Sequence, residues 1–211
     1  MSEEFWDDKF DVDGLRYGEQ PNAFVEAQAN AVIAPGARVI CLGAGEGRNP
    51  IWLAQQGFEV SALDQSGVGL KKLRERAASA GVEVTTIKSS IEEWTPEPDS
   101  FAAVVMTYFH LPAEVRQQTH RKVVDALNEG GVVIIEAFTP RQIELERTSG
   151  GPPAIALMYT AEMLAEDFSA LTVEHMTEET VELSEGPGHT GPGEVVRMVA
   201  RNPNPSGGSN E

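Results

Sequence analysis

The chain has 211 residues, enough to bury one good core without forcing a second domain. Its 33 acidic against 16 basic side chains give a formal charge of −17, which argues against phosphate-mediated binding to nucleic acid or to an anionic membrane surface and reads as solubility. The single cysteine, Cys41, excludes an internal disulfide and a cysteine zinc site; with no apolar leader and no spanning run, the expected setting is the cytoplasm.

The opening segment, residues 1–22, carries Trp6, Phe10 and Tyr17, large apolar groups that an exposed tail rarely holds, so it is expected to pack as a cover over a site, with Arg16 and Tyr17 as contact candidates. PNAFVEAQANAVI then reads as a helix with Phe24, Val25, Ala29 and Val32 on one face, ended by Ala34 to Gly36. Arg38 to Leu42 reads as a strand, Arg48 to Gln56 as a helix and Phe58 to Leu63 as a second strand, a βαβ unit. Ser66 is the expected N-cap of the next helix, with Leu70, Leu73, Ala77 and Ala80 facing inward and Gly81 closing it. Val82 to Ile87 is the third predicted strand. The apolar run FAAVVMTYF is the fourth, of the kind buried on both faces.

Pro112 opens another predicted helix, with Val115, Val123, Val124 and Leu127 inward and with Arg116 and His120 on its exposed polar face. NEGG is expected to stop it before the fifth strand, VVIIEAF. Residues 138–160 are too long and polar for a simple connection and read as a substrate loop, with GGPP, Met158 and Tyr159 closing one side of a site. A short helix around Ala161 to Phe168 follows. LTVEHMTEETVEL and EVVRMVAR, joined by SEGPGHTGPG, read as a hairpin in which His175 packs or points to water. The expectation is one domain over residues 1–201 and a disordered tail over 202–211. Five alternations of strand and helix favour a doubly wound, mostly parallel α/β sheet, here of seven strands with a C-terminal antiparallel hairpin.

In such a sheet ligands bind at the C-terminal ends of the strands, where VICLGAGEGRN places Gly43, Gly45 and Gly47. Glycines let the backbone approach a ligand closely, and Asp64, ending the second strand, could accept hydrogen bonds from both hydroxyls of a ribose. Arg48 stands where the dinucleotide pattern GxGxxG has its third glycine, which weighs against NAD.

GAGEGRN, ALDQSGVGL, TYFHLP and EAFTPRQ together resemble class I S-adenosylmethionine-dependent methyltransferases with their Rossmann-like fold, in the branch that includes tellurite-resistance and thiopurine-type enzymes. The resemblance runs from FWDDKF and YGEQPN to GHTGPGEVVRMVAR. It implies that Leu42, Gly43, Ala44 and Gly45 pass under the methionine and ribose of S-adenosylmethionine, beside Arg48 and Asn49, with Asp64 on the ribose. It also implies that Gln65, Ser66, Ser90, Ile91 and Glu92 flank the adenine, and that Thr107, Tyr108 and Phe109 face the cofactor and begin the acceptor pocket. Ser90 replaces an aspartate common in the family, and Cys41 an acidic residue.

The candidate catalytic residues are His110, at the expected rim of the pocket, His189 in the hairpin turn, Tyr17 and Tyr108, with Glu136 as a base or a satisfied polar group. No metal-ligand spacing, Gly-x-Ser-x-Gly or P-loop competes. The resemblance implies methylation of a small soft nucleophile, a thiol such as methanethiol or a selenium or tellurium species. The alternatives are O- or N-methylation of a small metabolite, an NAD-dependent oxidoreductase and a non-catalytic nucleotide sensor.

Overall fold

The computed structural model describes residues 2–203. Short apolar runs between helices become five parallel strands: β1 (Arg38–Leu42), β2 (Glu59–Asp64), β3 (Thr85–Lys88), β4 (Phe101–Thr107) and β5 (Leu127–Phe138). With β6 (Thr172–Ser184) and β7 (Thr190–Arg201) they form one seven-stranded sheet, ordered β3-β2-β1-β4-β5-β7-β6. β7 runs antiparallel to both its neighbours, β5 and β6. The doubly wound sheet with its terminal hairpin is thus the observed architecture. Strand order reverses between β1 and β4, which sets the ligand crevice at their C-terminal ends.

The helices are α1 (Glu3–Phe10), α2 (Ala23–Val32), α3 (Arg48–Gln55), α4 (Gly67–Ala80), α5 (Ala113–Ala126), α6 (Arg141–Glu144) and α7 (Ala161–Asp167). Alternation along β1 divides the core between the two faces of the sheet. Ile40 and Leu42 pack with Val123 and Ala126 of α5 and Leu164 of α7, whereas Val39 and Cys41 pack with Phe24, Val25 and Ala29 of α2 and Leu53 of α3. Burial pushes the Cys41 thiol well up, so it is inert and serves as a small hydrophobe.

Several expectations need correction. The third strand starts at Thr85 rather than Val82, because Val82 and Val84 pack towards α4 before pairing begins. NEGG does not precede the fifth strand but lies within it: β5 starts at Leu127, opposite Phe101, and its register then jumps so that Ala103 faces Val132. Gly130, at φ 75°, allows this bulge. His120 and Arg116 are buried rather than exposed; His120 Nδ1 and Arg116 Nε each reach Asp167 Oδ2 at 2.7 Å, clamping α5 to α7. A charged pair of this kind tolerates burial because every partner is present.

Residues 138–160 hold more structure than a loop: Phe138 ends β5, α6 follows, and a 3-10 turn spans Ile155–Leu157. Gln142 donates to Ser149 Oγ (3.0 Å) and Gly150 O (2.9 Å) and accepts from Glu194 N (2.9 Å), so the segment is strapped to β7. Met158 and Tyr159 are core residues. His175 is half-buried, 5.4 Å from the Phe24 ring. Asn202, assigned to the tail, is tied down: its N–H donates to Gly131 O (2.8 Å) and its Nδ2 to Leu127 O (2.9 Å). Residues 204–211, the rest of that expected tail, lie outside the described residues. Among the described residues no helix is long and apolar enough to cross a membrane, and no group of three or more His, Cys, Asp or Glu could hold a metal ion.

Candidate functional site

Beyond Leu42 the chain turns through Gly43, Gly45 and Gly47, at φ 66°, 52° and 88°, a left-handed backbone that side chains disfavour. A Cβ at Gly43 would lie 2.4 Å from the Phe109 ring and one at Gly45 3.0 Å from the Phe10 ring. Two aromatic rings therefore lie over the cradle, one from α1 and one from the end of β4. Asp64 ties the cradle to α4: its Oδ2 accepts from Gly45 N (2.7 Å) and its Oδ1 from Ser66 N (2.8 Å). Burial pushes the Asp64 pKa up, against these N–H donors. A carboxylate has about four acceptor sites, and with the Gln65 N–H as a third donor it keeps one for a ligand hydroxyl. The cradle and Asp64 thus fit the ribose-bearing cofactor that the resemblance implies.

The other expected cofactor residues are less concentrated. Ser66 caps α4, accepting from Gly69 N at 3.0 Å, and its Oγ donates to Asp7 of α1; Gln65 beside it is half-buried. Asp7 also accepts from Val68 N at 3.1 Å, and its pKa is lowered first by the Ser66 hydroxyl. The opening segment thus begins with a helix, α1, pinned to the start of α4. Ser90 Oγ accepts from Glu93 N (3.3 Å), Ile91 enters the core, and Glu92 is exposed on a loop held by Lys122 Nζ.

On the other side of the turn, Asn49 Nδ2 donates to Thr107 Oγ1 (2.9 Å) while its Oδ1 accepts from Asn22 N (2.8 Å). Asn22 is fully buried and is the hub: its Oδ1 caps α2 through Phe24 N and Val25 N, and its Nδ2 donates to Glu136 Oε1 (2.6 Å) and Glu185 Oε1 (3.0 Å). Glu136 also accepts from the Tyr108 hydroxyl and pairs with Arg197, which makes it a fully satisfied polar group. Tyr108 sits at φ 53°, unusual for an aromatic residue, and burial, followed by the charge of Glu136, raises its hydroxyl pKa well above normal. It acts as a donor.

Arg48, first residue of α3, pairs through Nη2 with Glu185 Oε2 at 2.9 Å. Glu185 in turn meets His189 Nδ1 at 3.3 Å, so that nitrogen carries the proton and Nε2 is the acceptor. Burial lowers the His189 pKa. The ring is enclosed by Tyr108 (4.2 Å between centroids), Tyr17 (4.6 Å) and Phe138 (5.4 Å). Three of the expected catalytic candidates, Tyr17, Tyr108 and His189, thus share one box.

His110 does not join them. It is buried rather than at a rim; its Nδ1 donates to Leu157 O (2.8 Å) and its Nε2 accepts from Phe138 N (3.2 Å), so the backbone takes both ring nitrogens. Burial lowers its pKa from 6.5 to about 4. Below pH 6.5 the unfolded chain takes up a proton that the fold refuses, so stability should fall by roughly 3 kcal/mol between pH 6.5 and 4 from this group alone. Urea titrations of wild type and His110→Gln across that range should show a shallower loss in the variant; parallel curves would refute the assignment.

The residues that sequence reasoning missed are Asn22, Glu185 and Arg197. A Glu four positions before His189 in the hairpin turn, and an Asn just ahead of a helix, were the available signals.

Comparison with known proteins follows the same lines. Residues 39–131 match the family model described as a methyltransferase domain. No curated protein sequence matches. A protein studied in the conversion of a disulfide bond into a thioacetal group during echinomycin biosynthesis is 20% identical, covers 90% of this chain and 84% of its own, and superposes with a TM-score of 0.72. A SAM-dependent methyltransferase from Methanosarcina mazei gives 15% identity, 88% and 99% coverage and a TM-score of 0.70. TehB from Haemophilus influenzae gives 19%, 95% and 66%, and 0.68. At these identities the structures show a shared fold, that of the class I methyltransferases.

Proposed function

We propose that the protein methylates a small soft nucleophile, a thiol first and a selenium or tellurium species next, a reading supported by the match of residues 39–131 to the methyltransferase-domain family model. The observation that carries this reading is the Glu185–His189 pair, 3.3 Å apart and set among Tyr17, Tyr108 and Phe138. S-adenosylmethionine, when bound, supplies an electrophilic methyl group on sulfur. Leu42, Gly43, Ala44 and Gly45 with Arg48 and Asn49 would hold its methionine and ribose, with Asp64 on a ribose hydroxyl. Gln65, Ser66, Ser90, Ile91 and Glu92 would flank the adenine, and Thr107 and Tyr108 would face the reacting end.

Within the box Glu185 fixes the proton on Nδ1, which leaves Nε2 to take the proton of an acceptor thiol, whose ordinary pKa is about 8.5. The aromatic walls exclude water, so a thiolate formed there is stripped of its hydration. The likeness to a protein that turns a disulfide into a thioacetal supports sulfur chemistry on this fold.

The test is an acceptor screen with methyl-labelled donor over methanethiol, larger thiols, selenite, tellurite, phenols and amines. Label should enter the thiols or the selenium and tellurium species, and His189→Gln should lower kcat on thiols by about 100-fold without changing affinity for S-adenosylhomocysteine. Label in phenols or amines alone, no label in any acceptor, or tighter binding of NADH than of S-adenosylmethionine would overturn the proposal.

A further inference from the structure

Arg48 is 8% exposed, an uncommon degree of burial for arginine. Its Nη2 is paired with Glu185, but its Nη1 is buried and has no hydrogen-bond partner, and the same is true of Arg16 Nε. A buried donor left unmade is costly, more so when charged, and among the described residues these are the two buried side-chain nitrogen or oxygen atoms without a partner. Two such orphans on one side of a site are open valences for a ligand.

The hairpin turn brings them together: Arg48 pairs with Glu185 of that turn, and the ring of Tyr17, next to Arg16 in the chain, lies 4.6 Å from His189, the other partner of Glu185. Burial raises the Tyr17 pKa, so its hydroxyl stays protonated and available as a donor. Arg16 is held by its own backbone: its N–H donates to Glu46 Oε2 (2.8 Å) and its carbonyl accepts from Gly188 N (2.9 Å) in the hairpin turn. Glu185 is already committed to Arg48, His189 and Asn22, and Glu46 to Lys72 and the Arg16 N–H. Neither carboxylate is left over to quench the second guanidinium, so this spot is cationic inside a chain of net charge −17.

We propose that Arg48 and Arg16, with the Tyr17 hydroxyl, form a receptor for one small anionic group, a carboxylate or an oxyanion, on the hairpin side of the glycine turn. The planar guanidinium fork suits either shape, and only an anion balances the unpaired charge. Which molecule brings the anion rests on the methyl-transfer reading: it is either the amino-acid end of the donor or the acceptor itself.

The experiment uses calorimetric titration of the intact protein with two matched pairs, S-adenosylhomocysteine against its decarboxylated analogue, and mercaptoacetate against 2-mercaptoethanol. Wild type should prefer the carboxylate-bearing member of one pair by roughly 10–100-fold, the range of a charge-assisted hydrogen bond. Arg48→Gln should erase most of that preference and Arg16→Gln part of it, and the pair that responds identifies the source. Should Arg48→Gln alone fail to fold, Glu185→Gln/Arg48→Gln removes both charges together and carries the same expectation. A separate arm measures the rise in Tm given by sodium sulfate over sodium chloride at equal ionic strength, an increment the arginine variants should reduce. If S-adenosylhomocysteine does not bind but the sulfate increment depends on Arg48, the cofactor reading falls and the receptor stands. If it binds, and neither pair nor the increment responds to the variants, the receptor falls and the cofactor reading stands.

Discussion

Arg197→Met should destabilise the fold by about 3–5 kcal/mol, the cost of leaving a buried charge without its partner. Arg197 in β7 and Glu136 in β5 face each other in register across the sheet, and the Glu136 side chain is wholly buried. Its remaining contacts, Asn22 Nδ2 and the Tyr108 hydroxyl, are neutral donors and do not neutralise a carboxylate. Arg197 also lies 5.2 Å over the Phe24 ring, so its loss loosens α2 as well. Domains of this kind have roughly 5–15 kcal/mol in total, so the variant should unfold at a much lower urea concentration, with the slope of the transition little changed. Arg197→Met combined with Glu136→Gln should recover most of the loss, because the amide still accepts from Asn22 or Tyr108 and carries no charge. A single variant as stable as wild type would show that the pair contributes nothing.

Asp64→Ala should weaken S-adenosylhomocysteine binding by roughly 10–100-fold or more, one charge-assisted hydrogen bond or two on the usual scale. The effect has two parts. The variant loses the acceptor proposed for the ribose, and it also releases Gly45 N and Ser66 N, which the carboxylate now holds at 2.7 and 2.8 Å. Asp64→Asn keeps a single acceptor oxygen and should fall between wild type and alanine. Calorimetry with the nucleoside product separates binding from turnover, and an unchanged Kd in Asp64→Ala would remove the ribose assignment.

What the sequence made legible follows the range of each interaction. The glycine turn, the Ser66 cap and the end of β2 depend on neighbours a few residues away, and the alternation of strand and helix depends on periodicity, so all were readable. Burial of a polar side chain was not. His120 looked exposed by its helical face, yet its partner Asp167 lies 47 residues on, in α7. His110 followed residues expected to face a cofactor and invited a catalytic role, but the distant Leu157 and adjacent-strand Phe138 occupy it. The hub at Asn22 joins residues 114 and 163 positions away, which no local pattern encodes. The aromatic content of the opening segment marked it as one that packs, whereas the place of Phe10 between Gly45 and Gly69 came only from the packing.

β7 lies later in the chain than β5 and β6, the two strands it separates. During synthesis β1 to β5 can form first, as N-terminal portions generally do, while β6 has no partner until β7 is made and inserted between them. Until that insertion Glu136 lacks Arg197, and the turn carrying Glu185 and His189 has no second strand to close it. Sheet closure and assembly of the Glu136–Arg197 and Glu185–His189 pairs therefore belong to one event.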